Sequence, residues 1–138
     1  EFILRSPERV FVDDYAHHPA ELEAAISAAK MLFPTRKVTG IFQPHLFTRT
    51  RDFVEGFAAA LDGLDECILL DIYPARELPI PGVTSAMIAD LMKNKNVTLT
   101  SKGELLQVLK TKNPDVLMTM GAGDIDTMIE PIKSLLQP

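Results

Sequence analysis

All three histidines of the chain and one notable arginine stand in short segments that directly follow predicted strands. The first segment reads Asp13-Asp14-Tyr15-Ala16-His17-His18-Pro19, and the second contains Gln43-Pro44-His45 and Arg49. An imidazole gains or loses a proton near neutral pH, and a guanidinium is a planar fork that fits a carboxylate or phosphate. Because ligands of open parallel sheets bind beyond the carboxyl ends of the strands, these segments predict one polar site.

Two further predicted strands are followed by segments whose polar groups could contact a ligand. The third strand is followed by Asp71, Tyr73 and Glu77, and the last by the turn Gly121-Ala122-Gly123-Asp124. Two glycines can let backbone N–H groups face a phosphate, or they can form a tight turn, and the sequence leaves both interpretations open. Adjacent side chains such as His17 and His18 rarely reach one ion, and no third ligand is evident. No metal site is predicted.

Short apolar runs alternate with helical patterns along the whole chain, which predicts an α/β fold with a mostly parallel open sheet and helices on both faces. The segments Phe2–Leu4 and Arg9–Val12 predict a hairpin that adds one antiparallel edge strand. The other predicted strands are Val38–Phe42, Cys67–Ile72, Val97–Leu99 and Val116–Met120. The predicted helices are Pro19–Phe33, Thr48–Leu61, Ser85–Met92, a helix opened by a Ser101/Glu104 capping box and ending at Leu109, and Ile125–Leu136, split or bent at Pro131.

The composition indicates one globular domain over residues 1–138, with 46% hydrophobic and 24% charged residues. A net charge of −5 disfavours nucleic acid as a partner, and the apolar runs are too short to suggest a membrane span. The single cysteine, Cys67, fits a reducing compartment and is predicted to be buried. The sequence contains no G-x-x-x-x-G-K-[ST] phosphate loop and no G-x-S-x-G nucleophile elbow. The predicted site therefore resembles part of a larger active site.

Four ordered motifs resemble the carboxy-terminal domain of the Mur ligases, over essentially the whole chain. They are Asp13–Pro19, Phe42–Arg51, Tyr73–Glu77 with Pro79–Val83, and Gly121–Ile125. The resemblance implies a Rossmann-like sheet in a cytoplasmic, three-domain bacterial enzyme of peptidoglycan synthesis. It also implies that this chain is the amino-acid-binding domain, excised from its amino-terminal domain, which holds a UDP-sugar, and its central domain, which carries the phosphate loop.

Within that family the motifs are most similar to the branch that joins L-alanine to UDP-N-acetylmuramate. The implied reaction consumes ATP with Mg²⁺, both held mainly by the central domain, and proceeds through an acyl phosphate on the muramate carboxylate. The chain by itself is therefore expected to be inactive. An alternative is the related ligase of murein recycling, which attaches a whole tripeptide, although its second motif is expected to differ at Gln43-Pro44-His45. A second alternative is an α/β module that binds a nucleotide or a protein partner without chemistry.

The resemblance also assigns roles to individual residues. Asp14 matches the position that reaches the nucleotide ribose, and Tyr15 lies beside it. His17, the expected catalytic residue, and Arg49 match positions near the amino acid and the reacting carboxyl group. Arg49 is expected to bind the alanine carboxylate, with His45 in support. Leu46 stands where other members carry a basic residue, and the choice between His17 and His18 as the site-facing histidine stays open.

Overall fold

One six-stranded β-sheet organises the chain in the computed structural model, which describes residues 1–138. The strands are β1 (Phe2–Arg5), β2 (Val10–Asp14), β3 (Val38–Phe42), β4 (Glu66–Leu70), β5 (Val97–Thr100) and β6 (Val116–Met120). The helices are α1 (Pro19–Leu32), α2 (Phe47–Asp52), α3 (Val54–Leu61), α4 (Ala86–Leu91), α5 (Lys102–Lys112) and α6 (Ile129–Leu136), and a 3₁₀ turn spans Asp124–Met128. No helix is long and apolar enough to cross a lipid bilayer.

The strand order is β1-β2-β6-β3-β4-β5, and every pair is parallel except the β1–β2 hairpin. The predicted mostly parallel sheet with one antiparallel edge strand is therefore confirmed. Residue Met120 at the end of β6 lies opposite both Asp14 of β2 and Phe42 of β3. This register places the carboxyl ends of three adjacent strands level with one another, which is what brings their following loops to one rim.

Helices cover both faces of the sheet, as predicted. A core of 19 buried residues packs α1, α3 and α4 against one face, and a core of 10 buried residues packs α5 and α6 against the other. The β3, β4 and β6 strands are buried along their entire length, as expected for continuous apolar runs between two helical layers. Cys67 of β4 is part of the first core, and burial raises the pKa of its thiol to about 12.

The amino ends of the central strands are joined by a charged cluster. Glu66 is almost fully buried and accepts hydrogen bonds from Lys37 (2.9 Å) and Lys112. Burial acts to raise the pKa of Glu66, but the two lysines outweigh it and lower that pKa. Arg36 and Asp115 form a second ion pair at this end of the sheet. The functional residues predicted from the sequence all lie away from this cluster, at the opposite end of the strands.

Three helical predictions were wrong in detail. The single helix expected over Thr48–Leu61 is two helices, because Phe53 has non-helical dihedrals (φ −119°, ψ 22°) and remains 44% exposed instead of joining the core. The Ser101 side chain makes no capping hydrogen bond, although Ser101 does precede α5. The last helix is interrupted at Met128, before Pro131, since proline is tolerated in the first turn of α6, where its missing N–H is not needed.

Candidate active site at the carboxyl rim of the sheet

The polar segments predicted to converge follow strands whose carboxyl ends lie side by side in the sheet. Asp14 ends β2, Gln43 follows β3, and Gly121 follows β6, all in the same parallel register. Arg49 lies in α2, immediately after the β3 loop. The structure thus brings the segments that contain Asp14, His17, His45, Arg49 and Gly121–Asp124 to one rim. Their functional roles stay predictions, because position alone does not establish them.

His45 and Arg49 form a direct pair on this rim. Arg49 Nη1 lies 3.0 Å from His45 Nδ1. Guanidinium can only donate, so Nδ1 must be the acceptor and the His45 proton must sit on Nε2. Burial, followed by the positive charge of Arg49, lowers the pKa of His45, which keeps the imidazole neutral at neutral pH. The pair therefore presents one guanidinium and one imidazole N–H donor to the rim.

His17 and His18 point to different places. His17 Nδ1 lies 3.0 Å from the carbonyl oxygen of Tyr15, and its charge is close enough to His45 to affect the pKa of that residue. The His18 ring packs edge-on against Phe53, with ring centroids 4.9 Å apart, and lines a groove of about 610 Å³ between α1 and α3. This geometry favours His17 as the histidine that faces the rim.

The first rim segment is held in a defined turn. Asp14 Oδ1 accepts the backbone N–H of Ala16 at 2.8 Å, an Asx-type turn, and Glu21 Oε1 accepts the N–H groups of His17 and His18. Asp14 Oδ2 accepts no hydrogen bond within the chain, and the Tyr15 side chain is 70% exposed. Asp14 is therefore preorganised and still has an oxygen free for a hydroxyl group of a ligand.

A polar network across the rim was not predicted from the sequence. The Gln43 side chain is buried, its Nε2 donates to Asp124 Oδ1 at 2.7 Å, and its Oε1 accepts the N–H of Ile125. Asp124 Oδ2 accepts from Lys102 Nζ at 2.6 Å. Burial acts to raise the pKa of Asp124, but the bonds from Lys102 and Gln43 lower it. These contacts join residues 22 to 82 positions apart, so only the folded chain reveals them.

The glycine turn after β6 serves this network. A Cβ on Gly123 would lie 2.5 Å from Gln43 Oε1 and 2.7 Å from Tyr73 Cγ, and Gly121 has φ +142°. The glycines therefore permit a close approach of the turn to Gln43 and Tyr73. Of the two interpretations left open by the sequence, the structure favours the tight turn, since the N–H of Ile125 is already bonded to Gln43.

The third rim segment packs directly on the second. The Tyr73 ring stacks on the His45 imidazole, with centroids 5.7 Å apart and planes 17° apart. Glu77 of the same segment hydrogen bonds to Thr48, the residue before Arg49. Sequence reasoning placed Tyr73 and Glu77 on the rim but missed these contacts. Nowhere in the chain, the rim included, is a group of three or more His, Cys, Asp or Glu side chains arranged to hold a metal ion.

A family model and individual relatives of known name both match this chain. A family model described as Mur ligase, glutamate ligase domain matches residues 1–123. A UDP-N-acetylmuramate--L-alanine ligase of Porphyromonas gingivalis (strain ATCC 33277) is 53% identical over 138 residues, which is 99% of this chain and 30% of that protein. The enzyme of the same name from Parabacteroides distasonis is 55% identical over 136 residues, covering 99% of this chain and 29% of that protein.

Solved structures agree with the fold. The crystal structure of a UDP-N-acetylmuramate-alanine ligase from Thermotoga maritima has a TM-score of 0.76 at 29% identity, covering 96% of this chain and 28% of that one. A murein peptide ligase from Psychrobacter arcticus shares the fold with a TM-score of 0.76 at 15% identity, over 99% of this chain and 29% of that one.

The sheet and its rim define an open α/β domain with polar loops at one edge, a fold shared with the two solved ligase structures. The chain belongs to the Mur ligase family, through its glutamate ligase domain. It spans about 30% of the length of the curated relatives that it matches. The match therefore establishes the family of this chain and not the activity of a whole protein that contains it.

Proposed function

We propose that this chain is the amino-acid-binding domain of an ATP-dependent ligase that joins L-alanine to UDP-N-acetylmuramate in peptidoglycan synthesis. The observation that carries the proposal is the His45–Arg49 pair on the rim, in a chain that is 53% and 55% identical to two proteins named as L-alanine ligases. A guanidinium held by a neutral imidazole is a suitable receptor for a small carboxylate. A cytoplasmic location, expected from the family, belongs to the same proposal.

Arg49 binds the carboxylate of L-alanine in this proposal. One of its N–H groups is committed to His45, and the chain contains no other hydrogen bond from Arg49, so the remaining donors of the fork are available. A bidentate arginine–carboxylate contact fixes the orientation of the amino acid as well as its affinity. The Nε2–H of His45 is a further donor beside it. The two side chains together orient the alanine amine for attack.

His17 accepts the proton that the reaction releases. When the amine forms the new C–N bond and phosphate leaves the acyl phosphate, the nitrogen must lose a proton. Because the Tyr15 carbonyl can only accept, His17 Nδ1 carries a hydrogen, and Nε2 is the ring nitrogen that can take up a proton. A rim histidine with a lone pair on Nε2 is suited to general base catalysis, which typically contributes about 10²–10⁴-fold.

Asp14 and Tyr15 contact the nucleotide ribose in this proposal, through the free Oδ2 of Asp14 and the exposed face of Tyr15. ATP supplies the phosphoryl group that activates the muramate carboxylate. The sequence contains no phosphate loop, so in this proposal the phosphates of ATP and the Mg²⁺ are held mainly by the central domain. The proposal therefore includes an amino-terminal and a central domain in the same polypeptide as the partners of this rim.

The full-length protein provides the direct test. It is supplied with ATP, Mg²⁺ and UDP-N-acetylmuramate, together with either L-alanine or the L-alanyl-γ-D-glutamyl-diaminopimelate tripeptide. Phosphate release and the mass of the product are then measured. We expect release that depends on L-alanine and a product heavier by one alanyl residue. Turnover with the tripeptide but not with L-alanine would favour the recycling ligase, and no turnover with either would favour a non-catalytic binding module.

A further inference from the structure

Helix α2 carries Arg49, and the residue at its N-cap position makes no side-chain hydrogen bond to its first turn. Leu46 occupies the N-cap position, where an apolar side chain cannot accept a hydrogen bond from the first turn. Leu46 also has φ +74°, a left-handed conformation that is uncommon for a non-glycine residue. Such a conformation persists only where neighbouring contacts enforce it. The start of α2 must therefore be held from outside.

Glu77 supplies the missing cap from a segment 29 residues further along the chain. Its Oε1 accepts the backbone N–H of Thr48 at 3.1 Å, and its Oε2 accepts the Thr48 hydroxyl at 2.5 Å. Both carboxylate oxygens are thus used on one residue in the first turn of the helix. The hydroxyl bond of Thr48 is the main reason that the pKa of Glu77 is lowered, so the side chain is ionised at neutral pH.

The loop before α2 is fixed to the same segment through its backbone. Tyr73 N–H donates to the Pro44 carbonyl, and Leu46 N–H donates to the Tyr73 carbonyl, each at 2.8 Å. With the ring stacking of Tyr73 on His45, these bonds hold the amino-terminal part of the loop. Glu77 holds the part that follows. Residues 45–49 are therefore clamped at both ends by residues 73–77.

We propose that Glu77 is a positioning residue for amino-acid binding: by capping α2 through Thr48 it holds the Arg49 guanidinium against His45 in the geometry that receives the substrate carboxylate. This inference rests on the proposed function. Glu77 makes no hydrogen bond to Arg49 or His45, and its only direct effect on the pair is that its negative charge acts to raise the pKa of His45. Its effect on the position of the Arg49 guanidinium therefore passes through the helix. Its removal frees the first turn of α2 and lets the guanidinium leave its place on the rim.

Steady-state kinetics of the full-length enzyme provide the first test. We expect Glu77→Ala to raise the KM for L-alanine about threefold to tenfold. This is less than the effect of losing a direct hydrogen bond to the charged substrate, because Glu77 acts indirectly. We expect a smaller rise for Glu77→Gln, whose amide oxygen can still accept one bond from Thr48. The KM values for ATP and UDP-N-acetylmuramate should stay within about twofold of the parent. Glu55→Ala, an exposed carboxylate in α3 with no hydrogen bond, is the matched control.

A second readout does not depend on the reaction. In the 138-residue chain, the ¹⁵N resonances of the Arg49 guanidinium and the His45 imidazole report their contact directly. We expect the Arg49 resonances to move in Glu77→Gln, which keeps the side-chain volume, and the resonances of neither residue to move in Glu55→Ala. The Arg49 resonances decide the test, because the charge of Glu77 also acts directly on His45. Unchanged resonances in folded Glu77→Gln and Glu77→Ala would overturn the inference, as would equal rises in all three KM values.

The two readouts separate failure of this inference from failure of the proposed function. If the resonances move but the KM for L-alanine is unchanged in both the Glu77 variants and Arg49→Lys, the alanine site itself is wrong, and the inference that rests on it falls too. If Arg49→Lys raises that KM and the Glu77 variants do not, the alanine site stands and the positioning role of Glu77 is overturned.

Discussion

The imidazole of His45 is kept neutral by two influences that act in the same direction. These two are the largest: burial disfavours its protonated form, and the guanidinium of Arg49 adds a positive charge beside it. His17 acts in the same direction, and the negative charge of Glu77 opposes them without reversing the shift. A protonated His45 would also lose the lone pair that accepts the Arg49 bond. The same contact that orients Arg49 therefore selects the protonation state of its partner.

An NMR pH titration should show a pKa for His45 below its usual value of 6.5. Arg49→Met should raise that pKa toward 6.5 without reaching it, because burial remains after the charge is removed. Since the folded pKa is lower than the unfolded one, the unfolded state takes up the proton first as the pH falls. The stabilisation linked to neutral His45 is thus complete above pH 6.5 and is lost as the pH falls from there through the folded pKa.

The control for that titration is Arg51→Met. Arg51 lies in the same helix but pairs with Asp52 and has no part in the shift of His45. We expect it to leave the His45 titration unchanged. A His45 pKa at or above 6.5 in the parent chain would contradict the close approach of the Arg49 guanidinium to a partly buried His45.

At the scale of elements, the glycine turn after β6 should be intolerant of any side chain. Gly123→Ala would place a Cβ against Gln43 Oε1 and Tyr73. We expect a loss of about 1–3 kcal/mol in the free energy of unfolding, measured by urea denaturation, because the Gln43 amide or the Tyr73 ring must shift. Gly103→Ala in α5 has its nearest neighbour 3.8 Å away and should be neutral or stabilising by up to about 1 kcal/mol. Equal stability of the two variants would show that the turn is not tightly packed.

The elements that the sequence predicted well are those whose signal is local. Strands β3 and β6 have the predicted bounds, because five-residue segments that are mostly apolar and carry no charge are typical of buried parallel strands. The break at Phe53 was missed for a tertiary reason. Helical periodicity places Phe53 in the apolar stripe, but its ring instead packs on His18 across the groove between α1 and α3.

The candidate site was predictable in outline for a topological reason. Loops that follow parallel strands share one rim, so the positions of Asp14, His17 and Arg49 follow from the strand assignments. The supporting contacts were not predictable. Gln43 with Asp124 and Thr48 with Glu77 are separated by 81 and 29 residues, and no local pattern links such distant side chains.

At the scale of the whole molecule, two cores on either side of one sheet should let the chain fold independently. We expect the isolated chain to show no turnover, because its sequence contains no phosphate loop. One guanidinium and a few polar groups give a small ligand little affinity without a second domain to enclose it. We expect L-alanine and ATP to bind the 138-residue chain no more tightly than about millimolar, roughly −4 kcal/mol.

Chemical-shift titrations of the 138-residue chain with each ligand measure that affinity, and a phosphate assay measures turnover. Arg49→Lys serves as the control for specificity of any alanine-induced shift. Micromolar binding of ATP, or phosphate release from ATP by the pure chain, would mean that the domain holds a nucleotide site beyond Asp14 and Tyr15.

The most direct test of the account is the kinetics of Arg49→Lys in the full-length enzyme with L-alanine as the varied substrate. Lysine keeps the charge but cannot reproduce the planar fork, so the loss of one charge-assisted hydrogen bond, about 1.5–3 kcal/mol, should weaken alanine use about tenfold to a hundredfold. Arg51→Lys in the same helix, where the parent side chain is about half exposed and pairs with Asp52, should behave like the parent. An unchanged KM and kcat for L-alanine in Arg49→Lys would contradict the assignment of this rim as the alanine site.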